Sequence, residues 1–209
     1  MWIINARTIQ VEFVVSERDA SPYAIISHTW GEPQNEITFD DIKHWHSRDL
    51  YDSKRPGWEK VAQACAKALE YNYEYMWIDT CCIDKSSSAE LQESTNSMFA
   101  CYSKSAICFA YLSDVESSHT SERQHDEQFQ RSRWFTRGWT LQELLAPTKV
   151  DYFNCSWQKV GDKIELCDLI PHITGIRRLY LRGGDKAASQ TATVAEWMSW
   201  AAKKKYHEA

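Results

Sequence analysis

Glu143 is the one acid in the apolar stretch RSRWFTRGWTLQELLAP, residues 131 to 147, and it follows Trp139 by four residues. On a helix that spacing puts the two side chains on one face. A carboxylate there has three fates open to it: solvation, an ion pair with Arg133 or Arg137, or confinement in a water-poor pocket where its charge does chemistry. Other side chains able to act fall in two short segments. Ser27, His28 and Trp30 belong to YAIISHTWG (23 to 31), and Asp79, Cys81 and Cys82 to YEYMWIDTCCID (73 to 84). Cys82 near His28 would make a thiol hydrolase, because a catalytic thiol needs a base within hydrogen-bond reach, but no local motif supports it. The one close histidine pair, His44 and His46, lacks the partner spacing of a zinc site, so no metal is expected.

Positioning these groups falls to alternating strands and helices. The 23 to 31 segment opens on a continuous apolar run after Pro22 and ends at Gly31, as a buried strand feeding a loop would. WEKVAQACAKALEY (58 to 71) has Trp58, Val61, Cys65, Ala68 and Leu69 at helical spacing. A second strand over 73 to 84 ends in Asp79, and a second helix over 86 to 105 puts Leu91, Thr95, Met98 and Tyr102 on one face, with Ser87 and Glu90 as a capping box. AICFAYLSDV (106 to 115) is a third strand, the aperiodic polar stretch 116 to 130 a surface loop, and 131 to 147 a helix ended by Pro147. KVDYFN (149 to 154) is the fourth strand. Beyond it the pattern predicts a short helix stopped near Pro171, a turn over 180 to 190, and a last helix with Val194, Trp197, Met198 and Ala201 on a face. The order is that of a parallel sheet covered on both faces, with ligands bound beyond the carboxyl ends of the strands. Ser27, His28, Trp30, Asp79 and Cys82 all fall at such ends.

Composition narrows the partners. A chain of 209 residues, 43% hydrophobic and 25% charged, reads as one globular domain over 1 to 209. A net charge of −5 removes the positive field that phosphate backbones or anionic lipids require, so no nucleic acid is expected. Neither a membrane span nor a signal peptide is apparent, which places the chain in the cytoplasm. Seven irregularly spaced cysteines read as reduced, buried thiols. Of the ten tryptophans, those at 2, 45, 157, 197 and 200 are expected in the core.

Five segments carry a family resemblance: PYAIISHTWG (22 to 31), IDTCCIDKSSSAEL (78 to 91), TNSMFACYSKS (95 to 105), YLSDV (111 to 115) and SRWFTRGWTLQELLAP (132 to 147). In this order they resemble the fungal heterokaryon-incompatibility (HET) domain, especially HET domains fused to nucleotide-binding (NACHT) and WD-repeat modules in NOD-like receptors. The resemblance implies an effector of programmed cell death after fusion of genetically different cells, self-association, and partnership with such a module or with other HET proteins. It also implies a further helix after residue 203, where the family continues and this chain reads KYHEA.

More distantly, SHTWG and GWTLQEL are similar to motifs of Toll/interleukin-1-receptor (TIR) domains, which implies a flavodoxin-like three-layer sandwich with a mostly parallel sheet. The TIR resemblance gives Glu143 the position of the glutamate that acts in NAD+ cleavage. Ser27, His28, Trp30, Asp79, Cys82 and Trp139 are then expected to contact NAD+ as substrate, with no bound cofactor. A fixed carboxylate would stabilise the positive charge that builds on ribose as nicotinamide departs. A scaffold that only oligomerises remains the alternative.

Overall fold

A computed structural model describes residues 1–14, 21–44, 55–116, 122–182 and 192–202. The chain divides into two compact units. One holds Met1–Ile26 and Trp30–Met98, the other Ser27–Thr29 and Phe99–Ala209.

In the first unit β1 (Trp2–Asn5) and β2 (Gln10–Phe13) form an antiparallel hairpin. Asn5 builds its turn by accepting from the backbone of Arg7 and Thr8, and Ile9 takes a positive φ of 55°. β3 (Tyr23–His28) is buried along its whole length and runs parallel to β4 (Tyr75–Trp77), which pairs antiparallel with β1. Three helical pieces fill in around these strands. Thr38 and Asp41 close a capping box at the start of α1 (Phe39–Lys43). Pro56 opens α2 (Pro56–Glu70), where a fixed φ helps and no N–H is needed, and α2 buries Trp58, Val61, Ala64, Cys65 and Ala68, with Leu69 only half-buried. The strand expected to end at Asp79 stops earlier. Asp79–Cys82 is a helical turn, α3, because the amides of Cys81 and Cys82 both bond back to the Ile78 carbonyl at 3.0 and 2.7 Å. α4 (Ser88–Lys104) is as anticipated, but the side chains of Glu90, Leu91 and Thr95 lie outside the described residues, and the proposed capping box and helix face with them.

In the second unit β5 (Ile107–Tyr111) runs parallel to β6 (Val150–Phe153), and β7 (Lys159–Asp162) returns antiparallel. Residues 122 to 130, expected within a loop, belong to α5 (Glu122–Arg131). Glu, Gln and Arg have good helix propensity, and one apolar anchor suffices: Phe129 is 1% exposed and packs edge-on against Phe135 and Tyr152. The single helix expected over 131 to 147 is instead two pieces, a 3-10 turn at Arg133–Thr136 and α6 (Thr140–Leu145), separated at Arg137 and Gly138. Pro171 sits in the first turn of α7 (Ile170–Thr174) rather than ending a helix, and Gly175, at a φ of 76°, closes it. α8 (Arg178–Arg182) follows, and Thr193 and Glu196 cap α9 (Val194–Ala201).

The class is thus α/β with seven strands among the described residues, paired both parallel and antiparallel. A mostly parallel arrangement is corrected: the short links between β1 and β2 and between β6 and β7 permit only antiparallel pairing. Trp157 and Trp200 are buried, while Trp2 and Trp197 are half-buried. Trp45 and the turn over 183 to 190 lie outside the described residues. No helix among those residues is long and apolar enough to cross a membrane.

Candidate functional site

Within the second unit, a buried polar cluster forms around Glu143. Ser27 and His28 end β3, Trp134 comes from the 3-10 turn, Arg137 from the break before α6, and Glu143 from the first turn of α6. Glu143 is 4% exposed. Its Oε2 accepts from the Ser27 hydroxyl at 2.7 Å, and the Trp134 indole N–H donates to that same hydroxyl at 2.6 Å. A relay runs from indole through serine to carboxylate.

Arg137 completes the cluster. Its guanidinium lies 3.4 Å from Glu143 Oε2 and also donates to the His28 carbonyl. Burying a carboxylate is costly without a counter-charge and hydrogen-bond donors, and here Arg137 supplies the first and the Ser27 hydroxyl donates as well. The ion pair with Arg137 is therefore made, and it is made inside the unit rather than in water. Two supports fix the helix that carries the acid. Thr140 Oγ1 donates to the Trp134 carbonyl at 2.6 Å, tying α6 to the turn before it. Lys163, 2% exposed, donates to the Pro147 carbonyl at 2.6 Å and the Leu144 carbonyl at 3.4 Å, placing a cation where α6 ends.

Trp139 does not share this environment. It is the N-cap residue of α6 and 38% exposed, and the indole tied to the acid's cluster, through Ser27, is that of Trp134. Sequence reading missed that tie because Trp134 precedes Glu143 by nine residues, a spacing that brings them together only once the helix is broken.

The first unit holds a second constellation. The Trp30 indole donates to Asp79 Oδ2 at 2.8 Å, while Asp79 Oδ1 accepts from the Thr80 amide. The ring is thereby pinned at one edge, yet 38% of the residue stays exposed. It borders a cleft of about 450 Å³ whose other lining residues include Lys43, Asp84 and Lys85. Lys85 Nζ lies 3.9 Å from the Trp30 ring centroid.

Cys82 is 3% exposed, its sulfur accepting from the Ile78 amide, and burial pushes its thiol well above the usual range. The Cys81 thiol donates to the Ile37 carbonyl, and burial raises it as well. Neither offers a thiolate at neutral pH, which removes the basis for a cysteine nucleophile.

Comparison with known proteins gives these clusters a family. Residues 23–127 match the family described as Heterokaryon incompatibility protein (HET). The chain is similar to the vegetative incompatibility protein HET-E-1 of Podospora anserina, 40% identical over 183 residues that make up 85% of this chain and 13% of that protein. The chain thus spans a small part of the length of the relative it matches. No solved structure matches it. A family match over half of the chain, and a relative this similar over most of it, establish that the chain belongs to the heterokaryon-incompatibility (HET) family.

Proposed function

We propose that this chain is a cytoplasmic incompatibility effector domain that triggers programmed cell death, and that it kills by cleaving NAD+ at Glu143. One observation carries the reading: an acid 4% exposed, hydrogen-bonded to the serine that ends a buried strand. In the reaction the bond between ribose C1′ and the nicotinamide nitrogen breaks, its electron pair leaving with neutral nicotinamide. Positive charge then spreads over C1′ and the ring oxygen, and the Glu143 carboxylate stabilises it. Water adds to C1′ and releases a proton, giving ADP-ribose. A fixed carboxylate in so dry a place contributes about 3 to 4 kcal/mol to such a step. Ser27 aims the carboxylate, the buried His28 holds Arg137 through its carbonyl, and the exposed Trp139 ring supplies surface for the substrate.

Arg137 sets a condition on this chemistry. At 3.4 Å it offsets the charge that the reaction uses, so the guanidinium leaves Glu143 when substrate binds and takes up the pyrophosphate instead. The same ion pair favours a second reading, a non-catalytic module that self-associates and signals through a fused NACHT/WD-repeat module or other HET proteins. In that reading Glu143 and Arg137 simply hold the fold. Val194 and Met198, 76% and 68% exposed on α9, give it an apolar surface.

Expression of wild type and Glu143→Gln in fungal cells separates the two. Glutamine keeps an acceptor for Ser27 and removes the charge. Loss of both NAD+ depletion and death in the variant, at equal protein level, is expected. Death without NAD+ depletion in either form selects the signalling module.

A further inference from the structure

The cleft beside Trp30 lies in the first unit and contains none of the groups around Glu143. Its volume, about 450 Å³, is within the range of roughly 300 to 1,000 Å³ typical of small-molecule sites. Three kinds of group line it. First, the Trp30 indole is exposed yet held in orientation by its bond to Asp79, so a flat ring meets a platform already fixed. Second, Lys43 and Lys85 are exposed ammonium groups that form no ion pair among the described residues, and each rests against aromatic rings, Lys43 near Phe39 and Lys85 over Trp30. Third, three carboxylates line the cleft and each already has a partner in the chain. Glu36 accepts from the Gly31 amide at 2.7 Å and from Lys60 at 2.5 Å, Asp40 lies 2.9 Å from His44 Nδ1, and Asp84 accepts from the Ser86 amide and hydroxyl.

We propose that this cleft binds a nucleoside monophosphate, with its base on Trp30 and its phosphate against Lys43 and Lys85. The ring platform calls for a planar heterocycle. The two ammonium groups call for an anion, and a phosphate draws Lys85 away from the indole face that the base then covers. The carboxylates hold the local charge near balance, which disfavours a polyphosphate. Their remaining lone pairs accept from ribose hydroxyls or a base amino group. The assignment makes no use of turnover at Glu143 and stands or falls separately from it.

Calorimetric titration of the whole chain with adenosine monophosphate, adenosine and inorganic phosphate tests it. The monophosphate is expected to bind saturably at one site, at least tenfold more tightly than either fragment. Lys43→Ala with Lys85→Ala, both exposed and so harmless to the fold, weakens it at least tenfold, and Trp30→Leu does the same. Circular dichroism checks that each variant is folded, and the lysine pair decides alone if Trp30→Leu is not. Absence of saturable binding to the folded wild type overturns the proposal. So does an unchanged affinity in the lysine variant, or inorganic phosphate binding as tightly as the nucleotide.

Discussion

Around Trp30, two exposed ammonium groups form no ion pair among the described residues and stand beside an indole that is pinned but open. Around Glu143, a carboxylate, a guanidinium, a hydroxyl and an indole N–H satisfy one another almost out of contact with water. The first arrangement needs only an exposed lysine side chain to swing off the indole to admit a ligand, and its charges contribute little to stability. The second holds its charges only because each has a partner, so altering one group disturbs the others, and a substrate must displace Arg137 before the acid can act. Openness marks a place to bind; enclosure stores reactivity that a rearrangement releases.

Substitutions sharpen the contrast. The largest effect is expected from Glu143→Ala, which leaves the Arg137 guanidinium and the Ser27 hydroxyl without their carboxylate. Breaking a buried pair from one side costs about 3 kcal/mol or more. Chemical denaturation should show it, and Glu143→Gln should lose clearly less because Ser27 keeps an acceptor. If alanine at 143 costs nothing, the enclosed cluster is not the structural knot described.

Each buried thiol, taken singly, predicts a somewhat smaller effect. Burial pushes the Cys65 thiol up from 9.0 to about 12, with Cys82 and Cys108 raised as well. A thiol whose folded value lies above its unfolded one contributes stability that is fully present below pH 9 and is lost as pH rises from there through about 12. Each such thiol then steepens the decline by about 1.4 kcal/mol per pH unit. Denaturation midpoints measured from pH 8 to 11 should be flat up to about pH 9 and fall beyond it. A steady decline starting at neutral pH contradicts the assignment.

The smallest effect belongs to the open cleft. Replacing Lys43 and Lys85 together by alanine should change stability by no more than about 0.5 kcal/mol, since both are exposed and neither is ion-paired among the described residues. A large loss of stability there would erase the distinction between the two regions.

The sequence disclosed some of this and hid the rest for identifiable reasons. β3, α2, β5 and β6 were legible because continuous apolar runs and helical spacing carry their own signal. The hairpin of β1 and β2 was not: each strand has four residues and β2 is mostly exposed, so no alternation marks it. α5 was hidden because Phe129, its only apolar residue, stands alone in a polar stretch. At the site, Glu143 stood out as the lone acid of an apolar segment, and Arg137 was a foreseeable partner. Trp134 and Lys163 were not foreseeable. Their contacts depend on where the chain breaks before α6 and where β7 returns, and a single sequence fixes neither.

The most direct test is nicotinamide release from NAD+ by purified wild type and Glu143→Gln side by side, with both proteins artificially oligomerised. The account predicts turnover by the wild type and a fall of about a hundred- to a thousandfold in the folded variant. Equal rates in the two proteins, or no release by a well-folded, assembled wild type, would contradict it.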